Sequence, residues 1–416
     1  MDEMEYGLIG EKLGHSYSPM IHGMLGDYRY ELRELAPEEL GPFLRAGRFR
    51  GLNVTIPYKR AAVPFCDHLT ETAIETGCVN TLIKQKNGKL TGHNTDIGGF
   101  MRMLRRAGID PSGMKCVILG SGGTSHTALT ALRHMGAGSI VVVSRSGPVT
   151  YADLMKDHTD AQLLINTTPV GMYPNNGKTA ADIGGFRALE GVTDVVYNPE
   201  KTALILEAEK RGLRFVSGLP MLVAQARLAS EAFFDRAIDP AVEDVILREI
   251  RSSALNLVLI GMPGAGKSTL GAMLSRSLGR PFVDLDERIA EKAGLSIPEI
   301  FERYGQARFR DLESEIIQDV CRSSGHVISA GGGAVLRDEN VRAMRQNGRL
   351  CHLRRPIDLL ALDGRPNSVS REAVRGLWEQ RKALYAAAAD YTVDNDSDMS
   401  EAANRIWEGF RETADH

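Results

Sequence analysis

Residues 261–269 read GMPGAGKST and have the spacing G-x-x-x-x-G-K-[ST], with Gly261, Gly266, Lys267 and Ser268 at the fixed positions. A loop of this form closes backbone N–H groups around phosphates, while its lysine supplies a cation and its hydroxyl a metal ligand. Gly264, Ala265 and Thr269 complete the stretch that would line those phosphates. Such a loop names a ligand and not a reaction. In RPFVDLDERI, Asp284 and Asp286 alternate at what reads as a strand end. Period two puts both carboxylates on one face, where one can act on Mg2+ through water and the other can accept from a substrate hydroxyl. A helix N-cap followed by a first-turn acid fits the same two residues. Further on come Arg308, Arg310 and Glu313 on a helix start, Gly331, Gly332 and Gly333 after the strand HVISA, and Arg381 in WEQRKALY.

A second glycine turn lies in KCVILGSGGTSHTALTALRHMGAGSIVVVSRS, which reads as strand, turn, helix, strand. Gly120 and Gly122 permit a tight turn and close approach of backbone to a pyrophosphate at the helix N-terminus, and Ser125 stands at the third fingerprint position. A free ribose 2′-OH calls for an acid at the end of the second strand. Ser144, Arg145 and Ser146 instead offer a cation and two hydroxyls, which suit a 2′-phosphate and favour NADP over NAD. Upstream, four polar clusters interrupt apolar surroundings: GHSYSPMIH (14–22), NVTIPYK (53–59), CVNT (78–81) and HNTD (93–96). Taken singly, each also fits a turn or a helix cap.

The elements that must hold these groups are short apolar runs alternating with helical stretches: KCVILG, SIVVVSR, AQLLINTTP, TDVVYNP, LRFVSG, LNLVLIG, HVISAGGG and RLCHLRRP. Strands of that length between helices predict parallel sheets built from βαβ units, so the fold class is α/β. The charged stretch DRAIDPAVEDVILREIRSSAL after Phe233 places the main boundary near Ser252, and the basic segment 363–382 is the candidate mobile loop. At 416 residues, 43% hydrophobic and 25% charged, the chain has ordinary globular composition for two or three domains. Its net charge of -3 gives no basic field for nucleic acid. The acidic start MDEMEYGLIG lacks a basic n-region, and no apolar run reaches about 18 residues, so a cytoplasmic chain with no membrane partner is expected. Five scattered cysteines without C-x-x-C read as reduced thiols.

The four polar clusters and the turn behind them, followed by INTTPVGM (165–172), VVYNP (195–199) and GLPMLVAQA (218–226), resemble the shikimate dehydrogenase family from residue 5 to about 245. The resemblance implies a substrate domain from 1–100 and 216–252 facing a Rossmann-type NADP domain from 101–215. Ser16 and Ser18 would hold the substrate carboxylate, with Tyr197 near it. Asn53, Thr55, Lys59, Asn80, Asp96 and Gln225 would meet the ring hydroxyls and carbonyl of 3-dehydroshikimate. Hydride arriving at a ketone leaves charge on oxygen, which Lys59 can protonate or stabilise while Asp96 orients it. Gly120, Ser121, Gly122, Gly123 and Thr124 would wrap the pyrophosphate, Ser144 to Ser146 the 2′-phosphate, and Thr167, Met172 and Gly218 would lie near the nicotinamide. Val149 stands where some members carry a second 2′-phosphate arginine.

The order of phosphate loop, D-x-D, FR-x-x-E, GGG, lid arginine and R-x-x-x-Y resembles shikimate kinase across 255–396, within a phosphate-loop domain at 253–416 with a central parallel sheet. On that resemblance Lys267 cradles the β- and γ-phosphates of ATP, and Ser268 with Asp284 serves Mg2+. Arg310 and Arg381 clamp the carboxylate of shikimate bidentately. Asp286 holds the hydroxyl to be phosphorylated, Gly332 brings backbone to the ring, and Arg365 reaches the transferring phosphoryl group. Ala383 stands where the family usually has proline. The combined expectation is a fused enzyme that makes shikimate and then phosphorylates it. Two alternatives are a catabolic, NAD-dependent quinate/shikimate dehydrogenase joined to a kinase, against which Arg145 speaks, and a regulatory protein keeping both folds without turnover, which has no need of Lys59, Asp96, Lys267, Asp286 and Arg310.

Overall fold

The computed structural model describes residues 4–14, 16–361, 370–396 and 398–414. Two compact units divide the chain, Met1–Leu247 and Arg248–His416.

The first unit holds two sheets. One is built from β1 (Tyr6–Gly10), β2 (Tyr30–Glu34), β3 (Gly51–Val54), β4 (His68–Leu69), β5 (Thr81–Lys84) and β6 (Leu90–His93), in the order β2-β1-β3-β5-β6-β4. It is mixed: β5 runs antiparallel to both β3 and β6, and the other pairs are parallel. Ile9, Leu52, Val54 and Leu82 pack with Leu40, Phe43 and Leu44 of the helix Pro37–Ala46 into one buried cluster.

The other sheet is parallel throughout, β7 (Lys115–Leu119), β8 (Ser139–Val143), β9 (Leu163–Asn166), β10 (Gly191–Asp194) and β11 (Arg214–Val216), ordered β11-β10-β9-β7-β8. Its central strands read as near-continuous apolar runs because both faces are covered. Cys116 and Ile118 pack toward Phe100 and Leu104 of the helix Asp96–Arg106, whereas Val117 and Leu119 share a cluster with Leu204 and Ile205 of the helix Ala203–Lys210. The run TDVVYNP differs from the strand expected of it, since only Thr193 and Asp194 belong to β10. Buried Asp194 turns the chain there: Oδ1 accepts from the backbone N–H of Val196 (3.0 Å) and from Asn166 Nδ2 (3.0 Å), and Oδ2 accepts from the Thr202 hydroxyl (2.7 Å). Burial raises the Asp194 carboxyl to about 6.

The second unit has one parallel sheet, β12 (Asn256–Ile260), β13 (Phe282–Asp284), β14 (Val327–Ser329), β15 (Gly348–Arg354) and β16 (Tyr391–Asp394), ordered β13-β14-β12-β15-β16. The fully buried β12 lies at its centre and feeds the phosphate loop, which turns into the helix Lys267–Leu278. From Arg371 onward the basic segment is helical, not loop: Ser370 caps the helix Arg371–Ala388 by accepting from the Ala373 N–H at 3.1 Å. Arg365 lies outside the described residues. Among the described residues no helix is long and apolar enough to cross a membrane, and none of the five cysteines forms a disulfide.

Candidate functional sites

In the first unit a cavity of about 290 Å³ is lined by Ser16, Ser18, Asn53, Thr55, Lys59, Asn80, Asp96, Tyr197, Gln225, Gly218 and Thr124. Residues from four separate polar clusters therefore meet in one place. At its centre Lys59 Nζ donates to Asp96 Oδ2 at 2.5 Å, and Asn80 Nδ2 donates to the other oxygen, Oδ1, at 2.9 Å. Asp96 opens the helix Asp96–Arg106, where the positive end of the helix dipole favours a carboxylate. Asn80 is itself held, accepting on Oδ1 from the Thr95 N–H at 2.8 Å. Gln225 reaches Asn80 from the helix Leu219–Phe234, its Oε1 accepting from Asn80 Nδ2 at 3.4 Å. Gly99 is what lets the two helices approach: a Cβ there would stand 2.9 Å from both Gln225 Cβ and the Met221 carbonyl.

Ser18 begins the helix Ser18–Leu25, and its N–H donates to Ser16 Oγ at 3.2 Å. N–H groups and two hydroxyls at a helix start are suited to an anion. Tyr197 follows the turn made by Asp194, and burial raises its phenol above the usual value.

The turn after β7 fits a pyrophosphate. Gly120 has φ +109, and a Cβ there would lie 2.8 Å from Thr167 Oγ1, so no other residue fits comfortably. Ser121, Gly122 and Gly123 are exposed around the start of the helix Gly123–His134, and a Cβ on either of those glycines would meet nothing within 4 Å. Backbone N–H groups are thus open to close approach. Ser125 is buried, as tight packing of helix on sheet requires. At the end of β8, Ser144 is buried while Arg145 is exposed, its charge acting on the nearby Tyr151 phenol. Ser146 follows it beyond the strand. Thr167 donates its hydroxyl to the Leu119 carbonyl at 2.7 Å, and Met172 is exposed. Thr124 alone of the turn residues also lines the cavity holding Lys59.

In the second unit a cavity of about 260 Å³ is lined by Gly264, Gly266, Lys267, Ser268, Thr269, Asp286, Arg310, Gly332 and Arg381. Gly261, Gly264 and Gly266 all have positive φ, while Ala265 is buried behind the loop. Lys267 Nζ donates to the carbonyls of Gly261 and Met262, both at 2.9 Å. Ser268 Oγ donates to Asp284 Oδ2 at 2.5 Å, which brings two hard oxygen donors of the kind Mg2+ takes to the loop. The strand-face reading of Asp284 and Asp286 is corrected: β13 stops at Asp284, which caps the helix Leu285–Ala293 by accepting from the N–H groups of Asp286 (3.0 Å) and Glu287 (3.4 Å). Asp286 therefore enters the cavity from a helical first turn.

Arg310 follows a break at Gly305 in the helix Ile297–Val320, and its Nη1 donates to buried Glu313. Burial raises the Glu313 carboxyl and the Arg310 charge opposes that rise. Arg308, by contrast, is exposed and does not line the cavity. Gly332 lacks room for a side chain because a Cβ would meet Pro263 Cδ at 2.6 Å. Its carbonyl accepts from Arg381 Nη1 at 2.9 Å and from the Tyr385 hydroxyl. Sequence reasoning assigned no role to Glu313 or Tyr385. The i,i+3 and i,i+4 spacings to Arg310 and Arg381 were the available signal, since such neighbours share one face of a helix.

Comparison with known proteins follows the same division. The family model for the shikimate dehydrogenase substrate binding domain matches residues 8–82, and that for shikimate kinase matches residues 263–411. Shikimate dehydrogenase (NADP(+)) of Moorella thermoacetica is 34% identical over 289 residues, covering 62% of this chain and 96% of the relative. The protein of the same name from Methanopyrus kandleri is 37% identical over 279 residues, covering 59% and 95%. Among solved structures, a chorismate mutase/shikimate 5-dehydrogenase fusion protein from Clostridium acetobutylicum has a TM-score of 0.56 and 35% identity, with 59% of this chain and 96% of that one covered. Shikimate 5-dehydrogenase of Thermus thermophilus, solved with NADP(H) and shikimate, has a TM-score of 0.54 and 30% identity, covering 59% and 99%.

Proposed function

Because the chain belongs to the shikimate dehydrogenase family and carries a shikimate kinase domain behind that part, we propose that it catalyses two consecutive steps: NADPH-dependent reduction of 3-dehydroshikimate to shikimate, then Mg-ATP-dependent phosphorylation of shikimate to shikimate 3-phosphate. We assign the first step to residues 1–252, with 101–215 binding NADP, and the second to 253–416, in a cytoplasmic enzyme. The carrying observation is that the Lys59–Asp96 pair, the Ser16 and Ser18 hydroxyls and Thr124 of the glycine turn line one cavity.

Gly120–Thr124 and Ser144–Ser146 would hold NADPH, with Thr167, Met172 and Gly218 near its nicotinamide, and the bound cofactor would supply the hydride. Ser16, Ser18 and Tyr197 bind the substrate carboxylate, which leaves the ring to Asn53, Thr55, Asn80 and Gln225. Lys59 is placed to meet the ketone oxygen, neutralise the charge that develops there and give it the proton that completes the alcohol, while Asp96 fixes the ammonium and accepts from a ring hydroxyl. In the second unit Ser268 and Asp284 would hold Mg2+, and bound ATP would supply the phosphoryl group. Lys267 steadies the phosphates, Arg310 and Arg381 clamp the shikimate carboxylate, and Asp286 orients the attacking hydroxyl. Glu313 and the Gly332 carbonyl hold the two clamp arginines in place.

The cofactor choice rests on Arg145. Replacing Arg145 by Ala removes a charge-assisted contact to the 2′-phosphate; since the residue is exposed, the loss is at the low end of such bonds, about tenfold in KM for NADPH. Steady-state kinetics with both cofactors checks this, the KM for NADH staying where it is in the parent. Equal loss with NADPH and NADH would make Arg145 a structural residue.

A further inference from the structure

Behind the substrate cavity a line of hydrogen bonds runs through the first sheet toward the reacting pair. The Tyr30 hydroxyl donates to Asn53 Oδ1 at 2.7 Å, and Asn53 Nδ2 donates to Thr81 Oγ1 at 3.0 Å. Thr81 Oγ1 donates to Asn80 Oδ1 at 3.1 Å, and Asn80 Nδ2 to Asp96 Oδ1 at 2.9 Å. The other Asp96 oxygen takes Lys59. Every donor points the same way, from β2 across β3 and β5 to the carboxylate, so each bond polarises the next.

We propose that Tyr30 is a positioning residue for reduction, acting through Asn53, Thr81 and Asn80 on the Lys59–Asp96 pair. The inference rests on the reading of this cavity as the 3-dehydroshikimate site.

Three observations carry it. Asn53, Asn80 and Thr81 are all buried, so a lost partner is not replaced by water. Without Tyr30 the Asn53 oxygen loses a donor while Asn53 Nδ2 keeps the Asn80 carbonyl at 3.3 Å and Asn80 Oδ1 keeps the Thr95 N–H at 2.8 Å, so the line keeps its direction and loses the polarisation that starts it. Tyr30 is also built to remain a donor. Its ring stacks on His22 with centroids 3.8 Å apart and planes 6° apart, and burial holds its phenol well above the ordinary value. His22 is kept neutral by burial, its imidazole lowered to about 3, although a hydrogen bond with the Asn53 side chain works in the opposite direction. His22 therefore brings no charge to compete with Lys59 for Asp96.

Tyr30→Phe in the full chain keeps the stacked ring and deletes only the hydroxyl. The expected result is a fall of about tenfold in kcat/KM for 3-dehydroshikimate, mostly in kcat, with the KM for NADPH and the rate of shikimate phosphorylation unchanged. Adding Tyr30→Phe to an Asn53→Ala chain should cost nothing more, because the two act in series. A Tyr30→Phe enzyme as fast as the parent overturns the proposal, as do losses that multiply in the double variant. So does a parallel fall in the kinase rate, the signature of general damage to the fold. If the parent chain itself does not reduce 3-dehydroshikimate, the functional reading fails and the proposal with it.

Discussion

Replacing Lys59 by Met slows reduction of 3-dehydroshikimate by about 10²- to 10⁴-fold, the usual worth of a positioned acid, and leaves phosphorylation of added shikimate unchanged. Methionine nearly keeps the length of the side chain and removes the ammonium, so the cavity keeps its shape. The loss belongs to kcat, because the charge that Lys59 meets develops on the ketone oxygen during hydride transfer and is absent from the bound ground state. Asp96 keeps its bond from Asn80 but loses the cation 2.5 Å from its other oxygen. Circular dichroism of the variant should match the parent, and stopped-flow or steady-state oxidation of NADPH measures the rate. A change under tenfold would remove Lys59 from the chemistry.

Replacing Lys267 by Met does the reverse. Shikimate phosphorylation falls by about 10²- to 10³-fold, as expected when one fixed donor to developing charge is deleted, while NADPH oxidation continues at the parent rate. The ammonium is buried and lies within 2.9 Å of the Gly261 and Met262 carbonyls, so it is held at the mouth of the loop by the loop itself. The lining residues of the two cavities come from different compact units and share no residue. ADP formation with added shikimate measures the loss. Retention of more than a tenth of the rate would show that the loop backbone alone does the work.

The phosphate loop and the glycine turn were legible because each needs fixed residue types at fixed spacing next to a buried strand. The parallel sheets were legible for a related reason: strands covered on both faces have no polar alternation to confuse them. The polar clusters of the first unit stood out against apolar surroundings, yet each alone reads as a cap or turn, and only the resemblance joined them. What stayed hidden depends on contacts between elements. Asp284 serves as both strand end and N-cap, so nothing local fixed where Asp286 would point. The end of β10 is set by Asn166 and Thr202 closing on Asp194, partners supplied by other segments of the chain. Tyr30 lies on an edge strand with half-buried neighbours, and no pattern there signals its bond to Asn53.

The most direct test gives purified full-length protein 3-dehydroshikimate, NADPH and MgATP together and follows NADPH oxidation and ADP formation in one cuvette. Two consecutive activities on one chain predict that ADP appears after a lag, that its final amount equals the NADPH consumed, and that omitting NADPH abolishes it. NADPH oxidation without ADP, or ADP formation that ignores NADPH, would contradict the reading of this chain as an enzyme whose second site consumes the product of its first.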